Sequence, residues 1–150
     1  GGYDRYDGYY SSGSAGVLGE TREDDRLQRK QLVTGAVIGG QPVAYPHDVL
    51  AQIPVANDEV NGEPLLIVYQ PAVDTTAIFQ RRLGDSVLTF APGPDQGSFV
   101  DEETGSTWSL LTGRATDGPH AGMTLTRVPS TTSFWFGWKD WYPDTLLFEG

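Results

Sequence analysis

Residues 55–69 read VANDEVNGEPLLIVY. Asn61-Gly62 at the centre is the strongest two-residue hairpin signal in the chain, because both residues tolerate the positive φ that such a turn demands. The stretch therefore predicts two antiparallel strands, 55–60 and 63–69. The same logic extends in both directions. Upstream, 32–38 is a strand, and Gly39-Gly40 makes a tight turn into 42–45. Pro46 then opens a short helix carrying Val49, Leu50 and Ile53, which Pro54 stops. Downstream, 75–82 and 86–91 are expected to pair around Gly84-Asp85, and 98–101 and 107–110 around Thr104-Gly105. Residues 114–116 and 123–128 are shorter strands flanking the loop 118–122. Ser133 is expected to cap a second helix ended by Pro143, and 145–148 closes the chain as a strand. About ten short strands and two short helices predict a mainly β domain, an antiparallel, hairpin-rich sandwich or barrel-like body.

Bulk composition agrees. The chain has 150 residues, with 19 Gly and 10 Pro, which suits many turns better than long helices. Ten basic residues against twenty acidic ones give a net charge of −10, which repels nucleic acid and anionic membranes. With no cysteine, disulfides and thiolate chemistry are excluded. No run of 18 apolar residues spans a bilayer. The opening Gly1-Gly2 in place of Met fits a chain whose leader has been removed, and equally one trimmed of an expression tag; the expected location is extracellular or at the cell surface.

Residues 1–24 stand apart as an extended arm and hinge, with a single globular domain expected over 25–150. Thirteen of the first nineteen residues are Gly, Tyr or Ser. Tyr3, Tyr6 and Tyr9 recur every third residue, a period of neither strand nor helix and closer to a polyproline-like arm. Six glycines in this stretch make ordering it costly, so the arm needs contacts to fix it. Tyrosines supply large contact area at low rotamer cost. Tyr3, Tyr6, Tyr9, Tyr10, Val17 and Leu18 are therefore the expected assembly contacts, with another copy of the chain as partner.

The body resembles the domain-of-unknown-function family 3179 over residues 25–148. The resemblance rests on Asp25-Arg26-Leu27 with Lys30, Gly35-Ala36-Val37-Ile38-Gly39-Gly40, Ala44-Tyr45-Pro46, Val60-Asn61-Gly62-Glu63-Pro64, and Asp101 to Ser109. Thr112-Gly113, Gly118-Pro119, Ala121-Gly122, Trp138 and Pro143-Asp144-Thr145 complete it, in the family's order. The family occurs in secreted or envelope-associated proteins and has no settled activity to carry over. After the strand ending at Tyr69 it typically shows a Cys-Pro-x-Cys-like stretch. Here Gln70 and Val73 stand where the thiols would be, and neither can ionise to a thiolate or form a disulfide.

Other chemistry finds little support in the residues. His47 and His120 are the only histidines, and two turn histidines are a simpler reading than a joint site. The carboxylates at 20–25 and 101–103 lack the spacing of a calcium loop and read as solvated turns, with a weak surface cation site left open. No nucleophile elbow or phosphate loop is present. Trp135, Trp138 and Trp141 on the second helix read as core packing before an aromatic platform. No catalytic, cofactor or metal residue is assigned, and no cofactor is expected. The function expected is a non-enzymatic secreted structural subunit of an extracellular assembly, a filament being one form, linked to neighbouring copies through the arm. Two alternatives stand beside it. One is a monomeric extracellular module binding a carbohydrate, peptide or cation; the other is a degenerate enzyme in which Asp74, His47 or His120 converge.

Overall fold

The computed structural model describes residues 3–5, 27 and 30–150. The fold is mainly β and antiparallel, with two short α-helices and no closed barrel. Backbone contacts group it into two compact units, Gly1–Val49 with Ser130–Gly150, and Leu50–Pro129. One body is expected over 25–150 from the sequence; the grouping follows a chain that leaves its first sheet after Pro46 and returns to it at Thr131.

The first unit is built on a five-stranded sheet. Its strands are β1 (Tyr3–Arg5), β2 (Leu32–Ile38), β3 (Gln41–Pro46), β14 (Thr131–Phe134) and β15 (Leu146–Phe148), in the order β1-β15-β3-β2-β14. Gly39 and Gly40 both take positive φ, 57° and 88°, and close the predicted β2–β3 turn. Pro46 is the last residue of β3, opposite Val33, rather than the first of a helix. Helix α1 (His47–Gln52) starts one residue later. β15 runs parallel to β3, and β1 runs antiparallel to β15 through Tyr3↔Phe148, Asp4↔Leu147 and Arg5↔Leu146. The period-three reading of the arm therefore gives way to ordinary strand pairing over these three residues. Tyr6, Tyr9, Tyr10, Val17 and Leu18 lie outside the described residues, as do the carboxylates at 20–25.

Helix α2 (Trp135–Trp141) carries the tryptophans. Ser133 does not cap it, because residues 131–134 are committed to β14; Phe134 sits at the N-cap without a side-chain bond. The Trp135 N–H is met instead by Gln31 O at 2.8 Å, which satisfies one of the otherwise orphan donors of a helix start. Trp135 and Trp138 are buried, but Trp141 is 77% exposed. A spacing of three residues drifts about 60° per step around a helix, so the third indole rotates off the packed face. The expected three-indole core stripe is thus a pair. Trp138 lies flat over Gly35, donates Nε1 to Thr145 Oγ1 at 2.9 Å, and packs on Tyr142 at 4.4 Å.

The second unit holds two four-stranded sheets and a small hairpin. One sheet orders β13 (Arg127–Val128), β6 (Thr75–Gln80), β5 (Glu63–Gln70) and β4 (Val55–Val60). The other orders β12 (Ala115–Asp117), β11 (Thr107–Ser109), β10 (Ser98–Asp101) and β9 (Phe90–Pro92). Asn61 and Gly62 take φ of 54° and 80°, as the quoted stretch predicts. The expected hairpin of 75–82 with 86–91 around Gly84-Asp85 holds only at its turn end, with Arg82 opposite Val87. β6 is filled on both edges by β5 and β13, leaving only β7 (Arg82–Leu83) and β8 (Ser86–Val87) to close the small hairpin. Leu88 and Phe90 turn inward to a core of Phe79, Phe99, Trp108 and Leu125, with Phe90 edge-on to Phe99 and to Trp108. The edges of β4 and β9 are joined by one side chain. Asn57 donates Nδ2 to Phe90 O and accepts the Phe90 N–H, both at 2.8 Å. Arg81 ties three segments by donating to the carbonyls of Leu65, Leu88 and Asp58 at 2.8–2.9 Å.

A Cβ at Gly35 would lie 2.5 Å from the Trp138 ring. Gly35→Ala is expected to destabilise the fold by about 1–3 kcal/mol through overpacking, read as a lower midpoint in chemical denaturation followed by tryptophan fluorescence. An unchanged midpoint would contradict this packing.

Candidate functional site

The segment where the family's thiols would stand ends strand β5. Gln70 leads into a 3₁₀ turn, Pro71–Val73, and Asp74 follows in the left-handed region at φ 50°. Asp74 is held there by two bonds: its backbone N–H reaches Pro71 O at 3.2 Å, and its Oδ1 accepts the Tyr69 hydroxyl at 2.6 Å. The two thiol positions diverge. Val73 is exposed to solvent, whereas Gln70 lines a cavity of about 360 Å³ within the second unit.

The cavity has a mixed lining; its apolar wall comes from Pro54, Val55, Val68 and Pro71, and from Pro92 and Pro94. Its polar lining comes from Gln70, Asp95, Gln96 and Ser98. The loop 92–98 is preformed. Gly93 N–H donates to Ser98 O at 3.0 Å, and the Ser98 hydroxyl donates to Asp95 O at 2.7 Å while accepting the Asp95 N–H at 3.0 Å. A Cβ at Gly93 would sit 2.2 Å from Ser98 Oγ and 2.8 Å from its carbonyl carbon, so only glycine permits this closure. The Ser98 hydroxyl is spent on the loop. The Gln70 carboxamide is not: among the described residues nothing hydrogen-bonds it.

The acidic run 101–103 is not a solvated cluster throughout. Asp101 is fully buried. Its Oδ1 accepts the Thr104 N–H at 2.6 Å and the Thr104 hydroxyl at 2.7 Å, and its Oδ2 accepts the Trp108 indole N–H at 2.9 Å. Burial pushes its carboxyl up, but the bonds from Thr104 and Trp108, with His120 nearby, outweigh it and hold the pKa below the usual range. Glu103 accepts the Thr89 N–H at 2.8 Å. Two of the three carboxylates thus serve the hairpin. Among the described residues no group of three His, Asp or Glu side chains is placed to hold a metal ion.

The histidines have separate partners. His47 is buried, with Nε2 2.8 Å from the Thr34 hydroxyl, which also lies 3.2 Å from that of Thr132. The His120 backbone N–H donates to Ser106 Oγ at 3.0 Å, and its ring lies 6.1 Å from Trp108. Trp108 is itself 0% exposed, so no aromatic cleft opens at that position. No helix among the described residues is long and apolar enough to cross a membrane.

Taken together, these features define a mainly β protein with two compact units, a preformed proline-walled cavity, and an N-terminal strand completing one sheet edge. The chain belongs to the family described as protein of unknown function DUF3179, which matches residues 2–145. The match begins at residue 2, earlier than the resemblance read from the sequence, and so takes in the strand at Tyr3–Arg5. No curated protein and no solved structure matches the chain. The cavity itself escapes sequence reasoning. Gln70 is singled out there only for the thiol it replaces, and nothing local announces that loop 92–98 folds beside it.

Asp101 gives a pH signature. Its folded carboxyl binds a proton less tightly than the unfolded one, so the unfolded state takes up more protons as pH falls. The stabilisation is complete above about pH 4, the ordinary carboxylate value, and is lost as pH drops through the lower folded value. Asp101→Asn is expected to lower stability at pH 7 by about 1.5–3 kcal/mol and to flatten the acid limb of the stability curve. Denaturation midpoints at pH 2–7 check both, and an unchanged acid limb contradicts the assignment.

Proposed function

We propose that this protein is a non-enzymatic structural subunit of an extracellular assembly, its copies linked by the N-terminal arm. One observation carries the reading. Leu146, Leu147 and Phe148 are all buried, and β15 receives β3 on one edge only. A buried strand edge left without hydrogen bonds costs about 1–3 kcal/mol for each orphaned group. Residues Tyr3–Arg5 supply the missing edge. An arm that completes a sheet is the element used in strand addition between subunits, because the same pairing forms whichever copy provides the strand.

Residues 6–26 separate that strand from the body and extend at most about 70 Å. A compact chain of this length has a radius of gyration near 15 Å, so the arm is long enough to reach a neighbour. Pairing within one chain competes with exchange at an effective concentration in the millimolar range. Linkage between copies is therefore favoured where the protein is crowded, as in an extracellular matrix or filament. The family resemblance to secreted and envelope-associated proteins supports the location, and the scarcity of catalytic groupings in the sequence supports a non-enzymatic role.

A second reading, a monomeric extracellular binding module, is favoured by the cavity at Gln70. Its lining suits a peptide better than a carbohydrate or a cation, since it offers neither an exposed aromatic face nor a set of convergent carboxylates.

The test is mass against concentration. Light scattering of the intact chain from micromolar to millimolar is expected to show growth beyond the monomer. Removal of residues 1–10 is expected to abolish that growth while lowering thermal stability. A single monomeric mass throughout, or growth that survives the deletion, overturns the proposal.

A further inference from the structure

The cavity at Gln70 also restricts what can fill it. Its volume of about 360 Å³ falls at the small end of ligand sites. No Lys, Arg or His lines it, so phosphate and carboxylate ligands find no counter-charge. Tyr69 is its only aromatic lining residue and is buried with its hydroxyl committed to Asp74, which leaves no ring face for a sugar. What remains is a slot between proline rings whose polar groups are the carboxamides of Gln70 and Gln96 and the carboxylate of Asp95, Gln70 being the one at the end of β5. That combination suits a flat apolar ring with a hydrogen-bonding tip, and a phenol is such a group.

The chain carries that group in quantity. Four of its seven tyrosines fall within residues 1–10, at Tyr3, Tyr6, Tyr9 and Tyr10. The other three, Tyr45, Tyr69 and Tyr142, are packed into the body. Tyr6, Tyr9 and Tyr10 directly follow the strand that completes the sheet, on a segment whose contour exceeds the size of the body.

We propose that the cavity lined by Gln70 is the receptor for a tyrosine ring from residues 6–10 of a second copy, with the phenol hydroxyl bonded to the Gln70 carboxamide. The inference rests on the arm-linked reading above and gives the arm a second anchor, distinct from the edge of β15. The two anchors divide the labour: backbone pairing at β15 is indifferent to side chains, while the cavity selects the phenol.

Isotope mixing of whole chains tests it. A ¹⁵N-labelled variant with Tyr6, Tyr9 and Tyr10 changed to Ala, which leaves the described body untouched, is mixed to equilibrium with unlabelled intact chain. The expected result is a saturable shift of the Gln70, Gly93 and Gly97 amides, absent when the unlabelled partner carries the same three Ala changes. Adding Gln70→Leu to the labelled chain should weaken the effect about fivefold to tenfold, the loss of one hydrogen bond. If only the Leu146–Phe148 amides respond, arm linkage stands and the tyrosine receptor is wrong. If only the cavity amides respond, the receptor stands and strand addition is wrong. If neither responds, both fall. Cavity shifts that are equally strong with the Ala-substituted partner also overturn the receptor.

Discussion

The first unit depends on a strand edge that cannot be left to water. β15 is three residues long, and each of them is buried. One side of the strand is met by β3, in the only parallel pairing among the described strands. On the opposite side its neighbour in the sheet is β1. Main-chain donors and acceptors in such a place must find partners, and residues 3–5 provide them. Residues 3–5 of a glycine-rich arm thus complete the sheet at the edge that β3 leaves open. The match of the family from residue 2 onward agrees, because the strand belongs to the matched domain and is not an appended tail.

The second unit solves a different problem. Its core is tied by side chains that imitate backbone. Asn57 bridges two sheet edges as a strand residue would, Arg81 gathers three carbonyls, and Asp101 collects the donors of its own turn together with a buried indole. These polar groups look reactive in a sequence and are consumed by architecture in the fold. Gln70 is the contrast. It stands where the resemblance read from the sequence implies a thiol, it lines a preformed cavity, and its amide is unspent. Replacing a thiol with a carboxamide turns a place for redox or metal chemistry into one for neutral hydrogen bonding.

Much of this fold is legible in the residues, for a local reason. Gly39-Gly40 and Asn61-Gly62 impose positive φ on their own account, so the hairpins they close need no distant information. Pairings set by tertiary competition are not legible. Whether Thr75–Gln80 lies beside 86–91 or beside Arg127–Val128 depends on which edge remains free after β5 has paired, and no local pattern encodes it. The parallel union of β15 with β3 is hidden for the same reason. Trp141 shows a limit of periodicity, since three-residue spacing only approximates a helical face. At the candidate site, the departure at Gln70 and Val73 is visible in the sequence, but their opposite fates follow from a loop more than twenty residues downstream.

The central claim is that residues 3–5 complete the edge of β15, and amide hydrogen exchange at Leu146–Phe148 tests it most directly. In the intact chain these amides should be protected. In a chain lacking residues 1–5, those directed away from β3 should exchange far faster while the β2–β3 amides keep their protection. Equal protection in both chains would mean that the edge is satisfied without the arm, and the account built on it would be wrong.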